Sequence, residues 1–438
     1  MKFSSNSIFR IIFFVFLGVT FFGLYKILIT GTVSWDEPIQ LARGLHQLAF
    51  GLSTIIGKPI AAINEIETVS SYPYGIIQKL PATLLALILW VIKDPELKFS
   101  SFPSGEYYRI SHLFTFLYSI LTCWLLLKSS IRSKLTNYWI APLLLISSPM
   151  FMGHSFFNIK DIPFAFLYTL FSYSLINLFN ATTENIRNRN IFSSLIMAAF
   201  CSLKITIFPI IFLEYSFVLF LTFKRIGMLI NKKKIIVNTC ISFLLLSTIS
   251  VLILLPVSWE SPVSYIISSF NVFKNNPWDG CMNFDGICSG KFNISGKSIY
   301  PESISTWSTI KYIAKWSSIQ LTILNLFSLI ASSILFLTSI LFLIRKKDLS
   351  NTNISRLIYG SQLTFIPIAA MVFNSNIYDS IRHLLFIFPA FCYLTSDFLD
   401  LIIKKVRINL YKNIIFMMIG VNLFFNFIDF SALSPYQY

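Results

Sequence analysis

Apolar stretches of about 18 or more residues recur along the chain, and short basic segments separate them. They predict transmembrane helices over residues 8–30, 108–128, 137–151, 162–179, 190–203, 206–223, 235–256, 318–344, 357–373, 384–402 and 413–430. That is eleven spans in an all-α polytopic membrane protein. The first run is longer than the core of a signal peptide and lacks a small-x-small cleavage site, so it reads as an uncleaved span.

Two long segments interrupt the pattern, 31–107 and 257–312. In the first, "EPIQLARGLHQLAFGL" places Leu41, Ala42, Leu45, Leu48 and Leu52 at helical spacing, with Arg43 and Gln47 elsewhere. This predicts a helix lying in the membrane interface with its apolar stripe buried. "IIQKLPATLLALILWVI" is short for a span and carries Lys79 and Pro81, so it reads as a second interfacial or re-entrant helix. The second segment is rich in Trp, Asn, Gly and Ser, and Trp259, Trp278, Trp307 and Trp316 suit an aromatic belt. The whole reads as one membrane domain, residues 1–438, with no separate soluble unit.

Composition agrees: 55% of residues are hydrophobic and only 12% charged, where a soluble domain is nearer a quarter charged. The net charge of +16 would suit nucleic acid, but its distribution argues against that partner. Of 35 Lys and Arg, twenty fall in clusters between spans: Lys2/Arg10, Lys128/Arg132/Lys134, Arg187/Arg189, Lys224 to Lys234, Arg345 to Arg356, and Lys404 to Lys412. This is the positive-inside pattern. It puts the N-terminus inside and both long segments outside. Cys123, Cys201, Cys240 and Cys392 sit in apolar runs as small hydrophobes. Cys281 and Cys288 share a polar outer segment where a disulfide and two thiols are both open readings.

Three charged stretches fall on the outer side: "SWDEP" after the first span, "GHSFFNIKDIPFAF" before the fourth and "YDSIRHLLFIFPAF" before the tenth. Pro38 and Pro163 suit first turns of helices, so Asp36, Glu37 and Asp161 stand at helix mouths. One reading is that these acids are caps. The other is that they are functional, as ionisable groups at membrane depth usually are. Lys160, Arg382 and His383 are cations at positive helix ends, which is unfavourable unless an anion is near. Arg382 could pair with Asp379 or snorkel to lipid phosphate. The sharper expectation is that the three surround a bound phosphate, with His154, Asn158, Tyr378, Asp379 and Lys204 in support. A carboxylate and a cationic cluster together suit group transfer from a phosphate-linked donor.

These stretches resemble motifs of the GT-C membrane glycosyltransferases, the group of the protein O-mannosyltransferases and the lipid A aminoarabinose transferase. The closing "SPYQY" resembles a stretch near their last span. The resemblance implies a polyprenyl-phosphate sugar donor in the bilayer and inversion at the anomeric carbon. It implies a glycan, lipid or protein acceptor, reached on the extracytoplasmic face of a bacterial inner membrane, in cell-envelope glycosylation. It makes Asp36 the base or acceptor-orienting group and Glu37 an acceptor ligand. Asp161 would hold the acceptor or a divalent cation; Lys160, Arg382 and His383 would hold the carrier phosphate. The chain lacks the large soluble outer domain of better-known members, which leaves acceptor recognition to the outer loops. Two other readings compete, a flippase or transporter of lipid-linked sugars and a polysaccharide polymerase or ligase with a diphosphate donor.

Overall fold

The computed structural model describes residues 5–31, 33–34, 37–57, 75–94, 102–226, 233–274, 292–294, 297–299, 310–311, 313–315, 317, 323–345, 350–372, 382–406 and 408–433. Helices dominate: α1 (Ser5–Thr30), α2 (Glu37–Ile56), α3 (Leu80–Lys93), α4 (Ser104–Arg132), α5 (Ile140–Ile146), α6 (Pro149–Phe157), α7 (Asp161–Phe179), α8 (Ile186–Leu203) and α9 (Phe208–Arg225). They continue as α10 (Lys233–Ile253), α11 (Pro262–Lys274), α12 (Ile323–Ile344), α13 (Asn351–Val372), α14 (Phe388–Lys405) and α15 (Asn409–Leu433). The sequence pattern contained no strand, yet Phe292–Ile294 and Lys297–Ile299 pair as a small antiparallel hairpin.

Six helical stretches are long and apolar enough to cross a membrane: Ser5–Thr30, Ser104–Arg132, Asp161–Phe179, Ile205–Arg225, Arg382–Lys405 and Lys412–Asp429. These are features of an α-helical membrane protein. Eleven spans were expected; six meet the measure among the described residues, or seven if α5 and α6 form one broken span. The expected spans at 190–203, 235–256, 318–344 and 357–373 correspond to α8, α10, α12 and α13, which are helical but too polar or, as described, too short. The span expected at 137–151 is bent by 64° between α5 and α6. Pro149 causes the break. It disfavours helical backbone at Ser148, whose ψ is 114°, and the Ser148 hydroxyl then caps α6 at the Phe151 N–H.

The core is built on α4 to α9 and α14, where Phe116, Phe156, Phe164, Tyr168 and Phe200 interlock with Phe386 and Phe388. Apolar side chains of α1, α10, α12 and α15 point outward, as expected for helices that meet lipid rather than water.

One end of the body is tied by polar groups. The Asp400 carboxylate accepts from the backbone N–H groups of Thr136 and Asn137 at 3.1 and 2.9 Å, and Lys404 Nζ lies 2.7 Å away. Ser5 bonds to Asn137 at the same end, and Arg356 pairs with buried Asp397 close by. The opposite end carries the starts of α2, α4 and α7, the loop before α3, and the 3-10 segment Arg382–Ile387 ahead of α14.

The sequence reading made α2 an interfacial helix with Leu41, Ala42, Leu45, Leu48 and Leu52 on its apolar stripe. Its face against the bundle is Glu37, Gln40, Leu41, Gly44, His46, Gln47 and Gly51, while Leu52, Ile55 and Ile56 are exposed. In a soluble protein such a helix would be inside out. Beside a bilayer, polar groups find partners in the protein and apolar ones face lipid.

Candidate functional site

The motif "NIKDIP" builds its own geometry. Asn158 leaves α6 in a non-helical conformation, and its Oδ1 accepts the N–H of Asp161 at 2.8 Å and of Lys160 at 3.3 Å. An asparagine turn of this kind starts α7. It also relieves Asp161 of the capping task that the sequence offered it. Asp161 is the first residue of α7, and its Oδ2 accepts from Asn158 Nδ2 at 2.8 Å and lies 3.5 Å from Arg382 Nε. His154 Nδ1 is 3.4 Å from the same Asn158 amide.

Arg382 and His383 were expected in the first turn of an α-helix. They stand in the 3-10 segment, and α14 proper begins only at Phe388, with Pro389 in its first turn. The tighter winding swings both side chains towards α7. Lys160, Arg382 and His383 all act on the Asp161 charge. Lys204 joins them from the turn between α8 and α9. Burial first, and then Lys160, brings its pKa down to about 8, with Asp161 acting in the opposite direction.

Lys160, Asp161, Lys204 and His383 line one cleft, and Arg382 joins them through Asp161. Gln78, Lys160, Asp161, Phe164, Leu203, Lys204, His383 and Phe386 line a narrow cavity of about 30 Å³. Residues separated by some 300 positions in sequence thus share a wall. Of the residues expected to act together, Lys160, Asp161, Lys204, Arg382 and His383 meet here, and Asn158 and His154 support them. Asp36, Tyr378 and Asp379 lie outside the described residues, as do Cys281 and Cys288.

Glu37, expected as an acceptor ligand, is held by the protein. It is fully buried; Ser34 N–H donates to its Oε2 while its own N–H donates to the Ser34 carbonyl, and His112 Nε2 contacts its Oε1 at 2.5 Å. Both carboxylate oxygens are thus committed to the protein. His112 in turn packs edge-on against Phe157, next to Asn158. The acidic loop and the "NIKDIP" turn are therefore joined through α4.

Lys79 was read as part of an interfacial helix, not as a site residue. It is 2% exposed, and among the described residues its Nζ has one acceptor, Gln40 Oε1 at 3.2 Å. Burial first, then the charges of Arg43 and Lys160, lower its pKa to about 7. Beside it, Gln78 reaches the cleft with its Oε1 buried and unpartnered among the described residues. Gly44 gives Lys79 its path: a Cβ there would sit 3.1 Å from Lys79 Cδ. Gly75 lies against the end of α8, where a Cβ would meet the Ser202 carbonyl oxygen at 2.0 Å. A signal for Lys79 existed in the sequence. It precedes Pro81 by two residues, as Asp36 precedes Pro38 and Asp161 precedes Pro163. His112 could have been noticed as a lone ionisable residue in an apolar span.

Among the described residues no three His, Cys, Asp or Glu side chains gather as metal ligands. Asp161 is held by Asn158 and Arg382 instead.

No family model, curated protein or solved structure matches the chain. What the site can do rests on its own chemistry. A buried lysine with a single neutral acceptor, surrounded by further cations, is a site that an anion would stabilise. Its wall also carries an ionised acid and an amide oxygen able to accept from a hydroxyl.

Proposed function

We propose that this protein is an inverting glycosyltransferase that moves one sugar from a polyprenyl-phosphate carrier to a hydroxyl of a glycan, lipid or protein acceptor. The eleven-span GT-C-like architecture and an extracytoplasmic site in a bacterial inner membrane belong to the same proposal. The observation that supports it best is the convergence of Lys160, Lys204 and His383 with Asp161 in one cleft, with Arg382 set against Asp161 and Lys79 buried nearby.

In this reading the cations hold the carrier phosphate. The acceptor oxygen attacks the anomeric carbon, and a new C–O bond forms as the bond from that carbon to the phosphate oxygen breaks. The electron pair leaves with the phosphate, where Lys160, Arg382 and Lys79 offset the growing charge. The hydroxyl proton passes to a carboxylate. Asp36 has that role by motif, and Asp161 orients the acceptor. Because a phosphate leaves well at neutral pH, one carboxylate base suffices. Glu37, whose two oxygens are taken by Ser34 and His112, does not touch the acceptor. Charges gathered at helix ends, rather than at mid-membrane on broken helices, favour transfer over transport.

The test is a comparison of surface glycans and glycolipids from cells with and without the gene, followed by complementation with Asp36→Asn and Asp161→Asn. Loss of one sugar, not restored by either variant, is the expected result. An unchanged glycan profile would overturn the reading.

A further inference from the structure

Glu214 lies within α9, on the span Ile205–Arg225, and is 4% exposed. The site just described does not use it. Among the described residues no cation pairs with it. Its Oε1 contacts two hydroxyls, Tyr168 of α7 at 3.0 Å and Ser361 of α13 at 2.9 Å, and its Oε2 is buried without a partner. On α13 the neighbouring Gln362 amide is already engaged with Ser172 of α7. The groups facing the carboxyl from the packed helices are therefore one phenol and one serine.

The protons around this carboxyl can be counted. Ser361 Oγ is also 2.8 Å from the Ile358 carbonyl, which can only accept. Directed at that carbonyl, the shorter of the two contacts, the single Ser361 proton is not available to Oε1. Tyr168 supplies one proton to Oε1. With the serine proton on Ile358, the remaining contact, between Ser361 Oγ and Oε1, closes when Glu214 supplies its own. An ionised Glu214 would carry charge on a bare Oε2 inside the membrane, with no cation to offset it.

We propose that Glu214 is a proton-binding site inside the membrane, held as the neutral acid with its O–H on Ser361 and its Oε1 receiving the Tyr168 hydroxyl. A metal cation does not fit, since one carboxylate and two hydroxyls fall short of the roughly six oxygens that hard cations take. The site sits one aromatic layer beneath the cleft. Tyr168 is one helical turn along α7 from Phe164, its ring lies 6.1 Å from that of Phe386, and both phenylalanines line the cleft. Loss of the proton would place an uncompensated charge between α7, α9 and α13 and displace the floor that Tyr168 supports. This inference is independent of the glycosyltransferase reading.

The test is infrared difference spectroscopy on the full-length protein in liposomes at neutral pH. Wild type minus Glu214→Gln should show the carbonyl stretch of a protonated, poorly solvated carboxylic acid, and Ser361→Ala should shift that band. Absence of the band, its survival in Glu214→Gln, or its disappearance on adding sodium would overturn the proposal. Should Glu214→Gln fail to fold, the Ser361→Ala comparison decides by itself: a shifted band supports the site and an unmoved one removes it.

Discussion

Arg382 Nε lies 3.5 Å from Asp161 Oδ2, joining the start of α7 to the 3-10 segment before α14. The pair is only partly shielded, with the arginine side chain 23% exposed, so it is loose enough for an anion to compete for the guanidinium. Replacing Arg382 with alanine should weaken binding of a polyprenyl phosphate by about 1.5–3 kcal/mol, roughly ten- to a hundredfold. Isothermal titration of the detergent-solubilised protein measures this. Equal affinity would return Arg382 to a role confined to Asp161.

Lys79 should make anion binding sensitive to pH. Its pKa is about 7, and an anion beside it raises that value, so binding draws in a proton when the pH is above 7. Affinity is then highest at and below about pH 7 and falls as the pH rises towards about 9. The carrier phosphate has completed its own titration, near pH 6, before this window. Lys79→Met should bind more weakly at pH 7 and show a shallower slope, with the remaining dependence due to Lys204. A Lys79→Met titration that matches wild type across the range would contradict the assignment.

Glu37 and His112 should behave as a structural unit. Each is fully buried and His112 Nε2 meets Glu37 Oε1, so truncating either to alanine leaves a buried polar atom without its partner at a cost of about 1–3 kcal/mol. The double variant should cost less than the sum of the two. Thermal melts of the two single variants and the double variant read this out. If Glu37→Ala left the melting temperature unchanged, the commitment of Glu37 to the fold would be wrong, and its expected acceptor-binding role would return.

Gly75 and Gly105 make a controlled pair. A methyl at Gly75 would overlap the Ser202 carbonyl, whereas one at Gly105 meets nothing within 4 Å. Gly75→Ala should therefore lower expression and melting temperature sharply and push the Gln78–Lys79 loop out of the cleft. Gly105→Ala should be silent or slightly stabilising, as it replaces glycine within a helix. Size-exclusion profiles and melts of the two variants distinguish them.

The amino-acid sequence alone determined that this is a helical membrane protein, because the length of an apolar run is a local property set by bilayer thickness. It also marked the charged helix mouths, since proline, aspartate and lysine in sequence order dictate a turn without reference to the rest of the chain. Asp161, Lys160, Lys204, Arg382 and His383 were legible that way. Tertiary structure decided which of those mouths meet. It also turned α2 polar side inward, took Glu37 for His112, left the capping of α7 to Asn158, and brought Lys79 beside Lys160. Those outcomes depend on contacts between residues tens to hundreds of positions apart. Periodicity repeats every few residues and carries no information about such pairings; only packing, burial and charge balance in three dimensions select them.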